Sequence, residues 1–254
     1  MNKLIPAMAV AVLVPTLWGV QGTVSTDLDS KTGEIKWLPR AKAYTISYKN
    51  GTTAVEAEFK LADVTGLDIP KPKNFDKLAA QVAAGQGVAA IPGLKNIVAE
   101  YRMLVWDKPA ARLLTEAYLA TKKYKDALDT AQKVVDEDKS AAYMGALAPA
   151  YWRALFQNGR REQVEKLLSK AATSGDRAAS AEALVMRGDI ILANGQNSQE
   201  AARKALAEAY LRVYLMYTDA PCAEVHKVAT AKAADCLAIC GYASRAETLR
   251  AQVK

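Results

Sequence analysis

Three cysteines and the only histidine lie close together near the C-terminus, where a thiol, a metal or a catalytic base could act. They are Cys222, His226, Cys236 and Cys240. The segment lacks the paired Cys-x-x-Cys spacing of zinc sites. A nucleophilic triad needs a base held beside its nucleophile, and no motif surrounds His226. We therefore predict a structural histidine and no metal site.

The spacing of the cysteines restricts which disulfides could form. Cys236 and Cys240 are four residues apart on a predicted helix, which holds their Cβ atoms about 5–6 Å apart, beyond disulfide spacing. Cys222 precedes Cys236 by 14 residues, or about 21 Å along an unbroken helix. Two alternatives remain. Either the cysteines are buried as small apolar side chains, or a helix break lets Cys222 bond one of the others.

Other chemistry-bearing patterns are weak. Gly85-Gln-Gly87 lacks the third glycine, the preceding strand and the lysine of phosphate-binding loops. Carboxylates such as Glu116 and Asp189 could act as an acid–base pair only if the fold brought them face to face. We predict that the protein is not an enzyme and uses no cofactor.

The composition is that of a globular protein. The chain has 254 residues, 51% hydrophobic and 24% charged, which excludes a disordered or fibrous protein. Its formal net charge is +7, with 34 basic residues spread along the chain. We interpret this as a solvated basic surface and expect no nucleic-acid partner. Binding to an anionic polymer or lipid surface through this charge is one alternative function.

Residues 1–22 have the pattern of a secretory signal peptide. Lys3 precedes an uncharged apolar stretch from Leu4 to Val20, and small residues at Val20 and Gly22 suit cleavage before Thr23. An uncleaved anchor is the alternative, although Pro6 and Pro15 would interrupt a spanning helix. We expect a periplasmic or secreted protein of a bacterial-type envelope, with no stable membrane span after cleavage.

Residues 23–70 are predicted to form a small antiparallel β-domain. Apolar and polar residues alternate around Tyr44–Tyr48 and Val55–Phe59, and Asn50-Gly51 between them is a strong hairpin signal. Segments 35–38 and 64–69 add further strands. A sheet this small needs closure or a covering neighbour, so we expect a curled, barrel-like domain that ends at Pro70.

Residues 71–254 are Ala-rich and predicted to be mainly helical. Turn signals recur near residues 85–87, 122–123, 158–159 and 194–195, in steps of about 36. We expect Asn194-Gly195 to end a helix in a left-handed turn, and Asn197 with Glu200 to begin the next one as a capping box. A repeat of this length indicates stacked helix pairs that bury a core only against their neighbours.

The helical region resembles tetratricopeptide-repeat (TPR) proteins over about residues 74–252. In the best repeat, Leu114, Tyr118 and Ala127 match the family's Leu, Tyr and central Ala. In another, Gly188 fills the small position where paired helices touch and Ala201 the central Ala. The expected Trp and closing Pro are mostly absent. The resemblance implies a mainly α protein, a TPR-like solenoid of four to five helix hairpins.

The resemblance also implies a concave groove, lined by the first helix of each pair, that binds a peptide or protein partner in the cell envelope. The groove residues implied by the family positions are Arg112, Glu116, Trp152, Arg153 and Asp189. Each has a plainer alternative: Arg112 and Glu116 as a solvated pair, Trp152 as core. Tyr210, Tyr214 and Tyr217 form a predicted aromatic stripe, either core or a peptide-binding ledge. Self-association into an envelope assembly, as a homo-oligomer, is the other alternative function.

Overall fold

A computed structural model describes residues 19–252 and divides them into two compact units. One unit contains residues 19–70 together with 100–104, and the other contains residues 71–99 and the chain from Val105 onward. The second unit is entirely helical in its regular structure, whereas the first holds the strands. Residues 1–18 of the predicted signal peptide lie outside the described range.

The strands form one antiparallel sheet of five. They are β1 Val20–Thr26, β2 Ser30–Leu38, β3 Ala43–Asn50, β4 Thr53–Lys60 and β5 Val64–Asp68. Their order is β4-β3-β2-β1-β5, and every pairing is antiparallel. The predicted Asn50-Gly51 hairpin joins β3 to β4, with Gly51 at φ 65°. Glycine takes that left-handed conformation without steric cost.

The sheet is open, so the barrel-like closure that we expected is wrong. Strands β4 and β5 are its two edges, and the pairing of the described strands does not join them. Alternate side chains of the inner strands supply the buried face, among them Val24, Ile35 and Ile46. Residues 100–104 are distant from the strands in sequence but belong to the same unit. There the Tyr44 hydroxyl of β3 donates a hydrogen bond of 2.8 Å to the carbonyl of Met103.

Strand β1 includes residues that the sequence pattern assigns to the signal peptide. Val20 pairs with Ile35, Gly22 pairs with Gly33, and Val20 is buried. A Cβ at Gly22 would lie 2.7 Å from the backbone oxygen of Asp68, so a larger residue would displace the β1–β5 pairing. The described sheet therefore begins three residues before the predicted cleavage point.

Within residues 71–252, five successive helix pairs form the helical unit, which confirms the predicted helical repeat. The pairs are α1 Phe75–Ala83 with α2 Gly87–Glu100, α3 Asp107–Ala120 with α4 Tyr124–Glu137, α5 Ala148–Gln157 with α6 Arg161–Ala172, α7 Arg177–Asn194 with α8 Gln199–Ala205, and α10 Ala223–Ile239 with α11 Ala243–Ala251. The second helix of the fourth pair continues through a π-helical turn, Leu206–Tyr210, into α9 Leu211–Met216.

Left-handed residues end the first helix of each pair. Gly85, Lys122 and Gly159 have φ of 76°, 59° and 74°, and they recur every 37 residues. Asn158-Gly159 is the helix end that the sequence predicted. At Asn194-Gly195 the prediction was wrong in detail, because Gly195 has φ −90° and the left-handed residues are Gln196 and Asn197.

Gly195 is required by close packing instead. A Cβ there would lie 2.3 Å from the Cβ of Ala201 in the next helix. The cap of that helix is also one residue later than predicted. Ser198, not Asn197, is the N-cap, and its Oγ accepts a hydrogen bond of 3.2 Å from the amide of Ala201.

The first helices of the pairs form a continuous layer. Helix α3 packs against α1 and α5, and α7 packs against α5 and α10. Small residues allow this close approach, because Ala110, Ala117, Ala154 and Ala183 are fully buried. The layer therefore presents one face of several helices side by side.

All three cysteines are unpaired and buried, as in the first of the two alternatives. Cys222 lies at the N-cap of α10, which runs unbroken past Cys236, so the helix keeps their thiols apart. Burial raises the pKa of Cys222, and it raises the pKa of Cys236 to about 11. Both thiols are therefore protonated and poorly nucleophilic at neutral pH.

Candidate functional site

A groove with a volume of about 720 Å³ lies on the layer of first helices, within the helical unit. We call it the inner groove. Its lining comes from α3, α5, α7 and α10 and from the two turns before α5 and α7. The five residues that the family resemblance selected all line it: Arg112, Glu116, Trp152, Arg153 and Asp189. Their role in binding stays a prediction.

Charged side chains on α3 and α5 form the first polar cluster of the inner groove. The Arg153 Nη2 atom lies 3.2 Å from Glu116 Oε1, and Arg112 Nη1 lies 3.8 Å from the same oxygen. Two guanidinium groups therefore share one carboxylate. The Arg153 Nε also donates a hydrogen bond of 3.3 Å to the carbonyl of Pro149, and the Arg112 Nε is a buried donor without an acceptor.

Trp152 belongs to the core rather than to an accessible binding surface. Its side chain is 0% exposed, and its indole Nε1 donates a hydrogen bond of 2.8 Å to the carbonyl of Ala142. It packs among the buried residues of α4–α7, such as Val164 and Leu168. The sequence could not distinguish the two roles, because a tryptophan on the inner side of α5 suits both. An anchoring role for its side chain is therefore wrong.

Asp189 is the centre of a second polar cluster. Its Oδ1 lies 2.7 Å from Lys232 Nζ on α10 and accepts a hydrogen bond of 2.7 Å from the hydroxyl of Tyr210. Tyr210 is fully buried, and burial followed by the charge of Asp189 raises the pKa of its hydroxyl. Asp189 therefore faces the groove in a fixed orientation.

Gly188 makes room for that arrangement. A Cβ at position 188 would lie 2.6 Å from the Cε1 and Cζ atoms of Tyr210 and 3.0 Å from the Cβ of Ala209. Tyr210 belongs to the π-helical turn, where one extra residue changes the direction of the side chains. The small position predicted at Gly188 is confirmed as a close helix contact, and the π-helical turn is a feature that the sequence pattern did not predict.

Glu182 is a groove residue that the sequence analysis missed. It lies on α7, one turn from Ala178 on one side and one turn from Val185 and Met186 on the other. Burial raises the pKa of its carboxyl group, although the charges of Arg153 and Arg112 act in the opposite direction. Within residues 19–252, no hydrogen bond or ion pair to its carboxylate is formed.

The charged lining of the inner groove has more carboxylates than cations. The carboxylates are Glu116, Asp176, Glu182, Asp189 and Glu224, and the cations are Arg112, Arg153 and Lys232. Asp176 caps α7 by accepting from the amide of Ala179 at 3.0 Å, and Glu224 pairs with Lys227 at 3.1 Å. Every charged lining side chain except Glu182 thus has a described partner.

The predicted aromatic stripe does not form one surface. Tyr210 is buried, Tyr214 stacks on the His226 ring with centroids 5.5 Å apart, and the Arg177 guanidinium lies 5.0 Å from the Tyr217 ring centroid. The ledge alternative is therefore wrong. His226 Nε2 is 3.0 Å from the carbonyl of Tyr214, so the histidine connects α9 to α10 and has a structural environment.

The lining of the inner groove combines charged, polar and apolar side chains. Among residues 19–252, no group of three or more His, Cys, Asp or Glu side chains is arranged to hold a metal ion. In the same range, no helix combines the length and the apolar character needed to cross a bilayer. The chemistry that the groove offers is ion pairing, hydrogen bonding and apolar contact.

The matches to known proteins are structural and of low similarity. No protein-family model and no curated protein matches the chain. Two solved structures resemble it, a kinesin light chain protein of Podosopora anserina with nearly identical TPR-like repeats and a variant of that protein. Each is 17% identical and aligns with a TM-score of 0.42 over 71% of this chain and 91% of the other. A similarity this low carries no functional conclusion.

Proposed function

We propose that this protein is a non-enzymatic binding scaffold that holds an extended or helical segment of a protein partner in the inner groove. The observation that supports this proposal is the groove itself, about 720 Å³ in volume and lined by the first helices of four consecutive pairs. Stacked helix pairs create concave surfaces of this kind, which repeat proteins use for binding.

Contacts between the lining helices hold the groove in shape before a partner binds. The Arg153–Glu116 contact connects α5 to α3, and the Lys232–Asp189 contact connects α10 to α7. The buried Tyr210 donates a hydrogen bond from its hydroxyl to the carboxylate of Asp189. The main entropic cost of binding therefore falls on ordering the partner segment, which favours recognition of a short linear segment over remodelling of the scaffold.

The proposal includes export to a bacterial-type envelope, in the periplasm or outside the cell. It rests on the leader pattern of residues 1–22. Sequencing the N-terminus of the protein recovered from an envelope or secreted fraction tests it. A chain that begins at Thr23 supports cleavage at the predicted site and would shorten β1 to Thr23–Thr26. A chain that begins at Met1 contradicts cleavage.

Site-specific photo-crosslinking tests the binding role. A photo-reactive amino acid replaces Val228, a half-exposed residue of the groove lining, and in a matched control it replaces Val88, an exposed valine on α2 outside the lining. Crosslinking is carried out on the full chain in its native fraction, and the adducts are identified by mass spectrometry. We expect one defined peptide of another protein at position 228 and not at position 88.

The rival functions predict different adducts. Self-association would give crosslinks to this chain's own peptides at position 228, together with a mass that rises with concentration. Binding through the basic surface would give many unrelated acidic species at both positions, and their yield would fall steeply with salt. Either result contradicts groove recognition of a protein segment.

A further inference from the structure

The charge of the inner groove is opposite in sign to the charge of the chain. The lining has five carboxylates and three cations, whereas the formal net charge of the chain is +7. Each lining cation has an ion-pair partner, because Arg112 and Arg153 share Glu116 and Lys232 pairs with Asp189, while the Nε of Arg112 has no acceptor among the described residues. An acidic segment would have to displace these contacts in order to bind.

Glu182 differs from these residues, because it has no ion-pair partner in the described part of the chain. Its carboxylate lies in the lining without an ion pair or hydrogen bond within residues 19–252, and the residue is partly buried. A carboxylate in this position loses hydration without gaining a fixed partner. A cation brought by a ligand would supply the missing partner.

The surroundings of Glu182 suit a long cationic side chain. Val185 lies one turn along α7, and Val228 of α10, 46% exposed, lines the same groove. Lysine and arginine have an aliphatic stem that packs on apolar surface and a charged end that seeks an acceptor. An apolar wall beside a carboxylate therefore matches both parts of such a side chain.

We propose that the inner groove recognises a partner segment through a lysine or arginine whose charged end pairs with Glu182 and whose methylene stem packs against Val185 and Val228. This inference rests on the proposed function and specifies the chemistry of its ligand. The partner is a basic peptide segment, not an acidic one.

Peptide selection on the full chain tests the inference. A random dodecapeptide phage library is selected at physiological salt on the immobilised protein, after depletion on the Ala146→Trp variant. Ala146 is an exposed residue of the groove lining, so the tryptophan fills the groove and depletes peptides that bind elsewhere. The enriched peptides are synthesised, and their Kd is measured with the wild type, Glu182→Gln and Glu165→Gln.

We expect the groove-dependent peptides to share a Lys or Arg. Glu182→Gln should raise their Kd about tenfold or more, since a desolvated charge pair is lost. Replacing the shared cation in the peptide by Met should have the same effect, and the two changes together should not add. Glu165→Gln removes the same charge from an exposed residue of α6 outside the groove lining, so it should change Kd less than threefold.

Two failures have separate meanings. Groove-dependent peptides without a shared cation, or with a Kd that Glu182→Gln leaves unchanged, would overturn this inference and leave the binding function standing. Absence of any groove-dependent peptide would overturn both. Urea unfolding of each variant verifies that it is folded under the binding conditions.

Discussion

Arg153 on α5 and Glu116 on α3 lie 3.2 Å apart in space and 37 positions apart in sequence, which is the spacing of the left-handed turns. The two residues thus occupy equivalent positions, to within one helical turn, in neighbouring repeats. A contact of this kind joins consecutive first helices along the groove. It also explains why residues selected from repeat positions converge on one surface.

The strength of this contact gives the first prediction. A double-mutant cycle with Glu116→Gln and Arg153→Met should give a coupling free energy of about 0.5 kcal/mol, since partly exposed ion pairs contribute about 0.2–1 kcal/mol. Unfolding in urea at low salt measures it. The same cycle with Arg112→Met, whose contact is 3.8 Å, should give a smaller value. A coupling that does not fall in 1 M salt would contradict an ionic contact.

The second prediction concerns pH. Burial raises the pKa of Glu182 above its ordinary value of 4.5, and nearby Asp189 and Glu116 add to the shift while Arg153 and Arg112 oppose it. The folded chain thus binds this proton more tightly than the unfolded chain does. Ionisation costs stability as pH rises from about 4.5 through the folded pKa, and the full cost is present above it.

Glu182→Gln removes that cost. We expect the variant to equal the wild type near pH 4 and to be more stable by about 1 kcal/mol at pH 8, the size of the penalty for a buried polar group without a partner. Urea unfolding across this pH range measures the difference, in which the titration of all other groups cancels. A difference that is constant with pH would show that Glu182 ionises freely.

The third prediction tests the close contact at Gly188. Gly188→Ala should destabilise the chain by about 1–3 kcal/mol, because its Cβ would meet the buried ring of Tyr210 at 2.6 Å and displace it. The Tyr210–Asp189 hydrogen bond should be weakened as well. Urea unfolding measures the loss. Gly66→Ala is the control, since its Cβ would have only a 3.8 Å contact with Ser25; equal losses would contradict the packing argument.

The fourth prediction concerns the thiols. Cys222, Cys236 and Cys240 are free and buried, and the pKa of Cys236 is raised to about 11. A thiol-reactive dye at pH 8 should therefore label the native protein slowly and label all three sites after unfolding. Rapid labelling of the native chain would contradict the burial. Fewer than three thiols in unfolded, unreduced protein would show that a disulfide has formed.

Much of the helical architecture could be predicted from the sequence because its turns depend on residues that are close together in the chain. Turns such as Asn158-Gly159 combine a helix end with a residue that accepts positive φ, and they repeat at a fixed interval. The hairpin at Asn50-Gly51 is local in the same sense. The open edge of the sheet was not predictable, because closure depends on whether β4 meets β5, two strands whose pairing no short pattern specifies.

The site could be predicted only in part. Repeat positions placed Arg112, Glu116, Arg153 and Asp189 on one surface. They do not indicate how deeply a side chain is buried, so Trp152 was selected although it is fully buried. Glu182 was missed for the opposite reason. Its importance comes from what surrounds it, the engaged arginines of two other helices and the absence of a partner, and neither is visible along a single helix.

Filling the inner groove with a tryptophan side chain tests whether the partner segment binds there. The affinity of a selected peptide is measured by calorimetry for the wild type, for Ala146→Trp in the groove lining and for Ala89→Trp, an exposed position on α2 outside it. We predict that Ala146→Trp weakens binding at least tenfold and that Ala89→Trp leaves it unchanged. Undiminished binding by a folded Ala146→Trp variant would show that the partner segment does not occupy the groove.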